Sequence, residues 1–400
     1  MTKLPDGWEI KRLEDLCEPG KQAIVDGPFG SNLKRSDYVD SGIPVLKIQN
    51  IKENVITLKK MDYVKPEKYQ ELVRHSFSQG DIVMTKLGNP LGVSAIVNGI
   101  PNGLIVADLV RIRASKILTE FLCYQLNSPR IQKHINEQQK GTTRPRVNLA
   151  MIRELPIYTP STDEQRKIVE LLEDHLSRLD AALADMKQAK IKASQFRQSL
   201  LNSVFYGSKF NSVNLGTCIE LIMGQAPPGI TCNKNSEGTP FVKVGEFGRL
   251  YPTIEEWTLK PLRLAKTGDV LICVVGATVG KINLGIDCSI GRSVAAIRPK
   301  NVLLQKYLYY FLELKMLEIR GQSKGSAQGV ITKDYINSIQ IPLPELKVQQ
   351  DVLELLESNF SQIEKSIEVS NIIERESLSL RRSLLQAAFT GQLVKEVVSV

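Results

Sequence analysis

The residues that could do chemistry are few and scattered. Six cysteines (Cys17, Cys123, Cys218, Cys232, Cys273 and Cys288) never approach C-x-x-C spacing, and His75, His134 and His175 have no Cys or carboxylate set at ligand spacing. Metal sites need several such ligands converging, so the thiols read as buried and the histidines as surface or capping groups. The run VVGATVGKI at 274–282 resembles a phosphate-binding loop at first sight. Only three residues separate Gly276 from Gly280, however, and Ile282 stands where a Mg-binding Ser or Thr is required. A pair of β-strands with a glycine turn is expected there instead. GNPLG at 88–92 lacks the aromatic neighbour that a base-flipping methyltransferase places beside such an Asn-Pro, and no glycine fingerprint for a dinucleotide or S-adenosylmethionine is present. Paired acids such as Glu255-Glu256 and Glu173-Asp174 read as solvated faces, because metal-dependent nucleases gather carboxylates from several strands. No catalytic constellation, metal site or cofactor site is expected in this chain.

If the chain does no chemistry itself, its elements must present surfaces. Its 400 residues exceed one ordinary domain, and 42% hydrophobic with 24% charged residues is a globular composition. No stretch reaches the roughly 18 uncharged apolar residues of a membrane span. The opening MTKLPDGWEIKRLEDL has no apolar core behind its lysine, so no secretion signal is read and a cytoplasmic location is expected. A formal net charge of +9, from 52 basic and 43 acidic residues, favours an anionic partner such as nucleic acid.

An internal duplication organises the sequence. Residues 140–207 and 324–391 align without a gap at an offset of 184, matching Lys140 with Lys324, Pro160 with Pro344, Gln165 with Gln349, Phe205 with Phe389 and Gly207 with Gly391. Upstream the offset drifts: IPVLKI at 43–48 resembles TPFVKV at 239–244 at 196, and GDIVMTK at 80–86 resembles GDVLICV at 268–274 at 188. One scaffold is thus repeated with loops of different length, and loops on a fixed framework are where recognition resides.

After Pro160, apolar residues from Ile168 through Leu172, Leu176, Leu179, Leu183, Phe196 and Leu200 to Val204 recur every three or four positions, the period of one helix face. The copy repeats the stripe from Val352 to Ala388. Ser161 and Glu164 fit a capping box, and Gly207 stands where a left-handed C-terminal cap is expected. Two such helices of some 40 residues most simply bury their stripes against each other as an antiparallel pair. The β-rich runs before each helix, among them VLKIQNI, DIVMTK, FVKV and VLICVV, make two α+β modules. The expected fold is therefore α+β, with two pseudo-twofold related α/β domains at 1–160 and 208–344. Long helices at 161–207 and 345–391 join them as a coiled-coil spacer, and a tail follows at 392–400. Residues 1–162 carry 23 basic and 17 acidic side chains and residues 207–344 carry 16 and 10, a surplus of six in each, whereas 163–206 balances and 345–389 is acidic by three. The modules, and not the helices, have the surface that suits phosphates.

Two basic modules, each followed by a helix that begins PSTDEQRKIVELLE or PELKVQQDVLELLE and ends SLLNSVFYG or SLLQAAFTG, resemble the specificity subunit of Type I restriction-modification systems. WEIKRLEDL at 8–16, the IPLP-type run before each helix, Gln165 and Gln349, and the LL-x-x-x-F-x-G endings carry the resemblance over essentially the whole chain. It implies that each module is a target-recognition domain reading half of a split double-stranded DNA sequence. The helices would fix the half-site separation and dock two methyltransferase (modification) subunits, with a translocase-nuclease (restriction) subunit added for cleavage. S-adenosylmethionine, ATP and Mg would belong to those partners. The second copy departs in reading GSAQGVI where the first reads GTTRPRV, so that loop has no arginine.

On this reading, the candidate DNA contacts lie in Gly-bounded polar loops: Thr142, Thr143, Arg144 and Arg146, with Lys324, Ser326 and Gln328 in the copy. Lys47, Gln49 and Asn50, and Lys243 in the copy, end a strand where base contacts could occur. Lys86, Arg292, Arg111, Arg113 and Arg298 are further cations, which strand carboxylates could equally claim. The helix positions expected to serve the spacer and its partners are Gln165, Leu172, Leu179, Leu183, Phe196 and Leu200, and Gln349, Leu356, Ile363, Ile367, Leu380 and Leu384. A coiled-coil adaptor that bridges two proteins without reading DNA is the competing expectation, and a self-sufficient nuclease or methyltransferase is the third.

Overall fold

The structure, a computed structural model, describes residues 4–141, 145–207, 210–323 and 329–393. Two compact units form, Met1–Asp185 with Ile372–Val400 and Met186–Asn371, so the division runs through the middle of both long helices. Each unit joins one α+β head to the beginning of one helix and the end of the other.

In unit one, an antiparallel sheet runs in the order Ser94–Ile96, Ile82–Thr85, Leu109–Ile112, Ile24–Asp26. A second sheet orders Tyr38–Val39, Asp62–Val64, Ile43–Leu46, Gly103–Ile105 and Ser76–Phe77, with one parallel pair between Ile43–Leu46 and Gly103–Ile105. Strands covered on both faces read as continuous apolar runs, and IVMT at 82–85 is one. Ile82 and Met84 face the helices, whereas Val83 joins Leu46, Phe77 and Ile105 on the opposite side. The helix-side core takes in Phe121 and Leu122 of Thr119–Leu126, Ile131 and Ile135 of Pro129–Gln138, and side chains from both long helices.

Unit two repeats the strand order of both sheets. Ile282–Leu284, Val270–Cys273, Val294–Pro299 and Ile219–Met223 form the antiparallel sheet. Cys232–Asn233, Trp257–Thr258, Thr239–Val242, Cys288–Ile290 and Leu264–Ala265 form the second, again with one parallel pair. The VVGATVGKI segment is a hairpin turn, as expected, with Ile272 opposite Ile282. Gly276 and Gly280 have φ of 86° and 82°, and Gly88 and Gly92 in GNPLG have 88° and 76°. The two segments that resembled ligand loops are thus one left-handed turn, present in each head.

The long helices span Thr162–Tyr206 and Leu346–Ala388, each about 65 Å at 1.5 Å per residue. A buried glutamine roots each of them. Gln165 accepts from the Leu118 backbone N–H at 3.0 Å and donates to the Pro160 carbonyl at 3.0 Å. Gln349 accepts from Leu304 N–H at 2.9 Å and donates to Pro344 at 2.8 Å and Val302 at 2.9 Å. The far ends are fixed by aromatic packing. Phe389 meets Phe121 edge-on at 5.3 Å in unit one, and Phe205 meets Tyr307 at 5.0 Å and Phe311 at 5.5 Å in unit two. Asp180 pairs with Arg381 at 2.7 Å in unit one, and Arg197 lies 3.6 Å over Phe360 in unit two, so early residues of one helix lie beside late residues of the other, the antiparallel sense.

Two local expectations are corrected. Ser161 Oγ accepts from Glu164 N–H at 3.3 Å, but the Glu164 carboxylate accepts from the Trp8 indole at 3.0 Å, tying the start of the chain to the helix rather than completing a capping box. Gly391 is left-handed at 72°, whereas Gly207 is not; a Cβ at 207 would lie 2.3 Å from the Ser203 carbonyl oxygen, and that approach is what requires glycine. Burial along the stripes is also uneven: Ile168, Leu172 and Leu176 are buried, then nothing on the first helix until Leu201.

Removing a rooting carboxamide strands a buried N–H. Gln165→Ala or Gln349→Ala is expected to cost about 1–3 kcal/mol in urea unfolding. An unchanged midpoint would mean that the carboxamides do not hold the helices.

Candidate nucleic-acid interface

Four backbone segments meet at one edge of the head in unit one. Strand Ile43–Leu46 runs into a tight turn, Ile48–Asn50, headed by Lys47. The hairpin turn beside it is stitched to two other loops: Lys86 N–H donates to Asp108 O at 2.9 Å, Gly88 N–H to Pro145 O at 2.8 Å, and Val147 N–H to Lys86 O at 3.0 Å. Lys140 and Arg146 exchange two backbone bonds of 3.0 Å. Between the segments lies a cleft of about 540 Å3 lined by Tyr38, Lys47, Gln49, Lys52, Asn89, Pro90 and Asp108, among others. Unit two has the same frame. Val274 N–H donates to Ser293 O at 2.9 Å, Gly276 N–H to Gly329 O at 3.2 Å, and Ile331 N–H to Val274 O at 2.8 Å.

The structure sorts the expected contacts. Gln49, Arg146 and Arg292 are exposed, and the Gln49 amide donates to Lys60 O at 3.2 Å. Lys47 also sits on this face, but its amine is held by Asp62 at 2.5 Å and lies 4.1 Å over the Tyr38 ring. Lys243 is its counterpart and is ion-paired to Glu256, a hydrogen bond that raises the lysine above its ordinary range. Asn50 is a correction: it is fully buried, accepts from Lys47 N–H at 2.9 Å, and donates to Thr57 O at 3.0 Å. Its amide builds the turn and has no face left for a base. Lys86 is a second correction, since it is only 8% exposed and bonded to Asp26 at 2.6 Å. Thr142, Thr143, Arg144, Lys324, Ser326 and Gln328 lie outside the described residues.

The strand arginines are structural. Arg111 is 2% exposed, donates to Ser76 O at 2.7 Å and to Gln22 O, and burial lowers its guanidinium from the ordinary range. Arg113 holds Asp81 at 3.0 Å, and Arg298 holds Asp269 through two bonds of 2.8 and 2.9 Å. Sequence reasoning missed Tyr38, Lys52, Asn89 and Pro90 as residues of the cleft. The equal spacing of Gly88–Gly92 and Gly276–Gly280 was the signal that could have marked 89–90 as a turn tip on the same face as Lys47.

The helix positions divide likewise. Gln165, Leu172, Gln349, Leu356 and Ile363 are buried within their own unit, so of the two roles expected of them they have the packing of the spacer and no surface for a partner. Leu179, Leu200, Ile367 and Leu384 are half-buried against the cores, and Leu183 is half-buried. Phe196 at 52% and Leu380 at 49% exposed keep apolar surface, and Ile191, Val369 and Leu378 add exposed area that the stripe does not mark.

Reactive groups are otherwise subdued. Five cysteines are buried and Cys232 is half-buried; burial pushes the Cys17 and Cys288 thiols up to about 12, far from the thiolate. Among the described residues no group of three or more His, Cys, Asp or Glu could hold a metal ion, and no helix is long and apolar enough to cross a membrane.

Comparison with known proteins agrees with this arrangement. The sequence profile of the Type I restriction modification DNA specificity domain matches twice, at residues 5–193 and 207–375. A protein of Methanocaldococcus jannaschii provisionally named the type I restriction enzyme MjaX specificity subunit is 26% identical over 98% of this chain and 95% of its own. The EcoBI specificity subunit of Escherichia coli is 25% identical over 51% of this chain and 42% of its own. Among solved structures, a chain from a study of complex assembly and conformational transition in the type I R-M system superposes with a TM-score of 0.81 at 25% identity, covering 98% of this chain and 99% of that one. The HsdS subunit of Thermoanaerobacter tengcongensis gives 0.62 at 26% identity, covering 98% of each chain. With two copies of that domain spanning most of its length, the chain belongs to the Type I restriction-modification specificity-subunit family.

Proposed function

We propose that this chain reads an asymmetric, two-part DNA target, one half with each head, and carries two methyltransferase subunits on its long helices. Translocase-nuclease subunits join for restriction. Methyl transfer and ATP-dependent cleavage belong to those partners, as do S-adenosylmethionine, ATP and Mg. The observation that carries the reading is one backbone frame bearing different side chains. Gln49 corresponds to Gly245, Asn89-Pro90 to Ala277-Thr278, Ala107 to Arg292 and Arg146 to Val330. Equal frames with unequal donors and acceptors select unequal base sequences. Each head carries a surplus of six positive charges, which supplies attraction to the phosphates and is unexplained by a protein-only adaptor.

Selection from random duplexes by the chain assembled with its methyltransferase is expected to enrich two short motifs at a fixed gap; enrichment of nothing would refute the proposal. Inserting one helical turn, about 5.4 Å, into the middle of both helices should move that gap by one or two base pairs at about 3.4 Å each. A gap that stays put would show that the helices do not set it.

Arg146→Ala is expected to weaken binding about tenfold or more and to relax preference in the first half-site alone, and Arg292→Ala to do so in the second. Equal losses on all sequences would reduce either residue to a phosphate contact, and unchanged affinity would remove it from the interface.

A further inference from the structure

One turn in each head reaches the long helices, and it does so with opposite charge in the two units. In unit one, the turn between Ile51–Lys52 and Val55–Ile56 carries Glu53, which shares a cleft of about 620 Å3 with Arg382 of the second helix. The neighbouring Arg381 is bound to Asp180 at 2.7 Å. Burial raises the Glu53 carboxyl from its ordinary range, and Arg381 and Arg382 oppose that rise. The turn is fixed to its head, because Asn54 N–H donates to Ser94 O at 2.9 Å and its side-chain oxygen accepts from Asn127 at 2.7 Å.

In unit two the corresponding residue, 196 positions on, is Arg249. The turns are built alike: Thr57 N–H donates to Asn50 O at 2.8 Å, and Thr253 N–H to Glu246 O at 2.7 Å. Arg249 is ion-paired to Glu364, the repeat equivalent of Asp180. Arg197, the equivalent of Arg381, is taken by Glu313 through bonds of 2.8 and 2.9 Å, where head one has the uncharged Asn127. The helices keep an acidic position, Asp180 and Glu364, and a basic one, Arg381 and Arg197, but Arg382 corresponds to the uncharged Gln198; the heads differ in charge at both positions, Glu53 against Arg249 and Asn127 against Glu313. Glu53, Asp180, Arg381 and Arg382 sum to zero, as do Arg197, Arg249, Glu313 and Glu364. Exchanging only residues 53 and 249 would leave the clusters at +2 and −2.

We infer that Glu53 and Arg249 are positioning residues, which hold each head at a set angle on its helix pair and thereby sharpen the gap at which the half-sites are read. The inference rests on the two-part reading proposed above. The Arg249–Glu364 pair is exposed, and such a pair adds little to stability; Glu53 only shares a cleft with Arg382, so the effect belongs to geometry and not to folding. A head that rocks on its helices accepts half-sites one base-pair step, about 3.4 Å, out of place.

The test uses the chain assembled with its methyltransferase, and duplexes whose half-sites stand at the native gap or one base pair from it. If the unaltered protein does not distinguish these duplexes, the two-part reading and this inference fall together. If it does, Glu53→Arg and Arg249→Glu should each reduce the ratio of affinities about fivefold, with affinity for a single half-site unchanged. Glu53→Arg with Arg382→Glu, and Arg249→Glu with Glu364→Arg, return the clusters to zero and should restore the ratio. The neutral Glu53→Gln and Arg249→Gln, which introduce no repulsion, should show a smaller loss at an unchanged melting temperature. An undiminished ratio in all single variants, or no restoration in either double variant, overturns the inference.

Discussion

Everything in this molecule hangs on how its long helices are fastened at both ends to α+β heads. At each start a single carboxamide, Gln165 or Gln349, spends its acceptor on a backbone N–H of the head and its donor on the chain just before the helix. At each finish a phenylalanine, Phe389 or Phe205, enters an aromatic cluster of the unit that did not begin that helix. Because one fastening is polar and directional and the other apolar and shaped, each fixes what the other leaves free. The middle of the first helix, from 177 to 200, has no buried residue, so its path depends on those ends.

Within a head the same economy separates frame from reading surface. Cations that could have met phosphates are consumed internally: Lys86 by Asp26, Arg113 by Asp81, Arg298 by Asp269, and Arg111 by two carbonyls. The side chains left at the edge stand on a turn-and-loop frame that recurs in both units, and they differ from one unit to the other. A frame that is indifferent to those side chains can carry different ones, which is what the proposed two-part reading asks of one duplicated scaffold.

Much of this was legible in the sequence, and the failures have a common cause. The gapless match of 140–207 with 324–391 marks the helices and their fastenings, and the glycine spacing at 274–282 marks a hairpin turn. What periodicity cannot tell is which partner a polar residue takes when that partner lies far along the chain. Asn50 and Lys86 have the types of DNA contacts, yet Asn50 bonds a turn closed by residues 57–59 and Lys86 bonds Asp26, 60 residues away. Gln165 and Gln349 were legible as repeated, but their burial depends on Leu118 and Leu304, which only the folded chain brings to them. The division through mid-helix was likewise hidden, because the repeat boundary at the helix ends is not the boundary of packing.

The central claim is that two unlike heads on one fastened helix pair select a two-part DNA sequence for methylation. Sequencing the methylome of cells with and without this gene tests it most directly. The account predicts that a methylated motif of two different short sequences, separated by a constant gap, is present with the gene and lost without it. Identical methylomes in the two, with the methyltransferase still expressed, would contradict it.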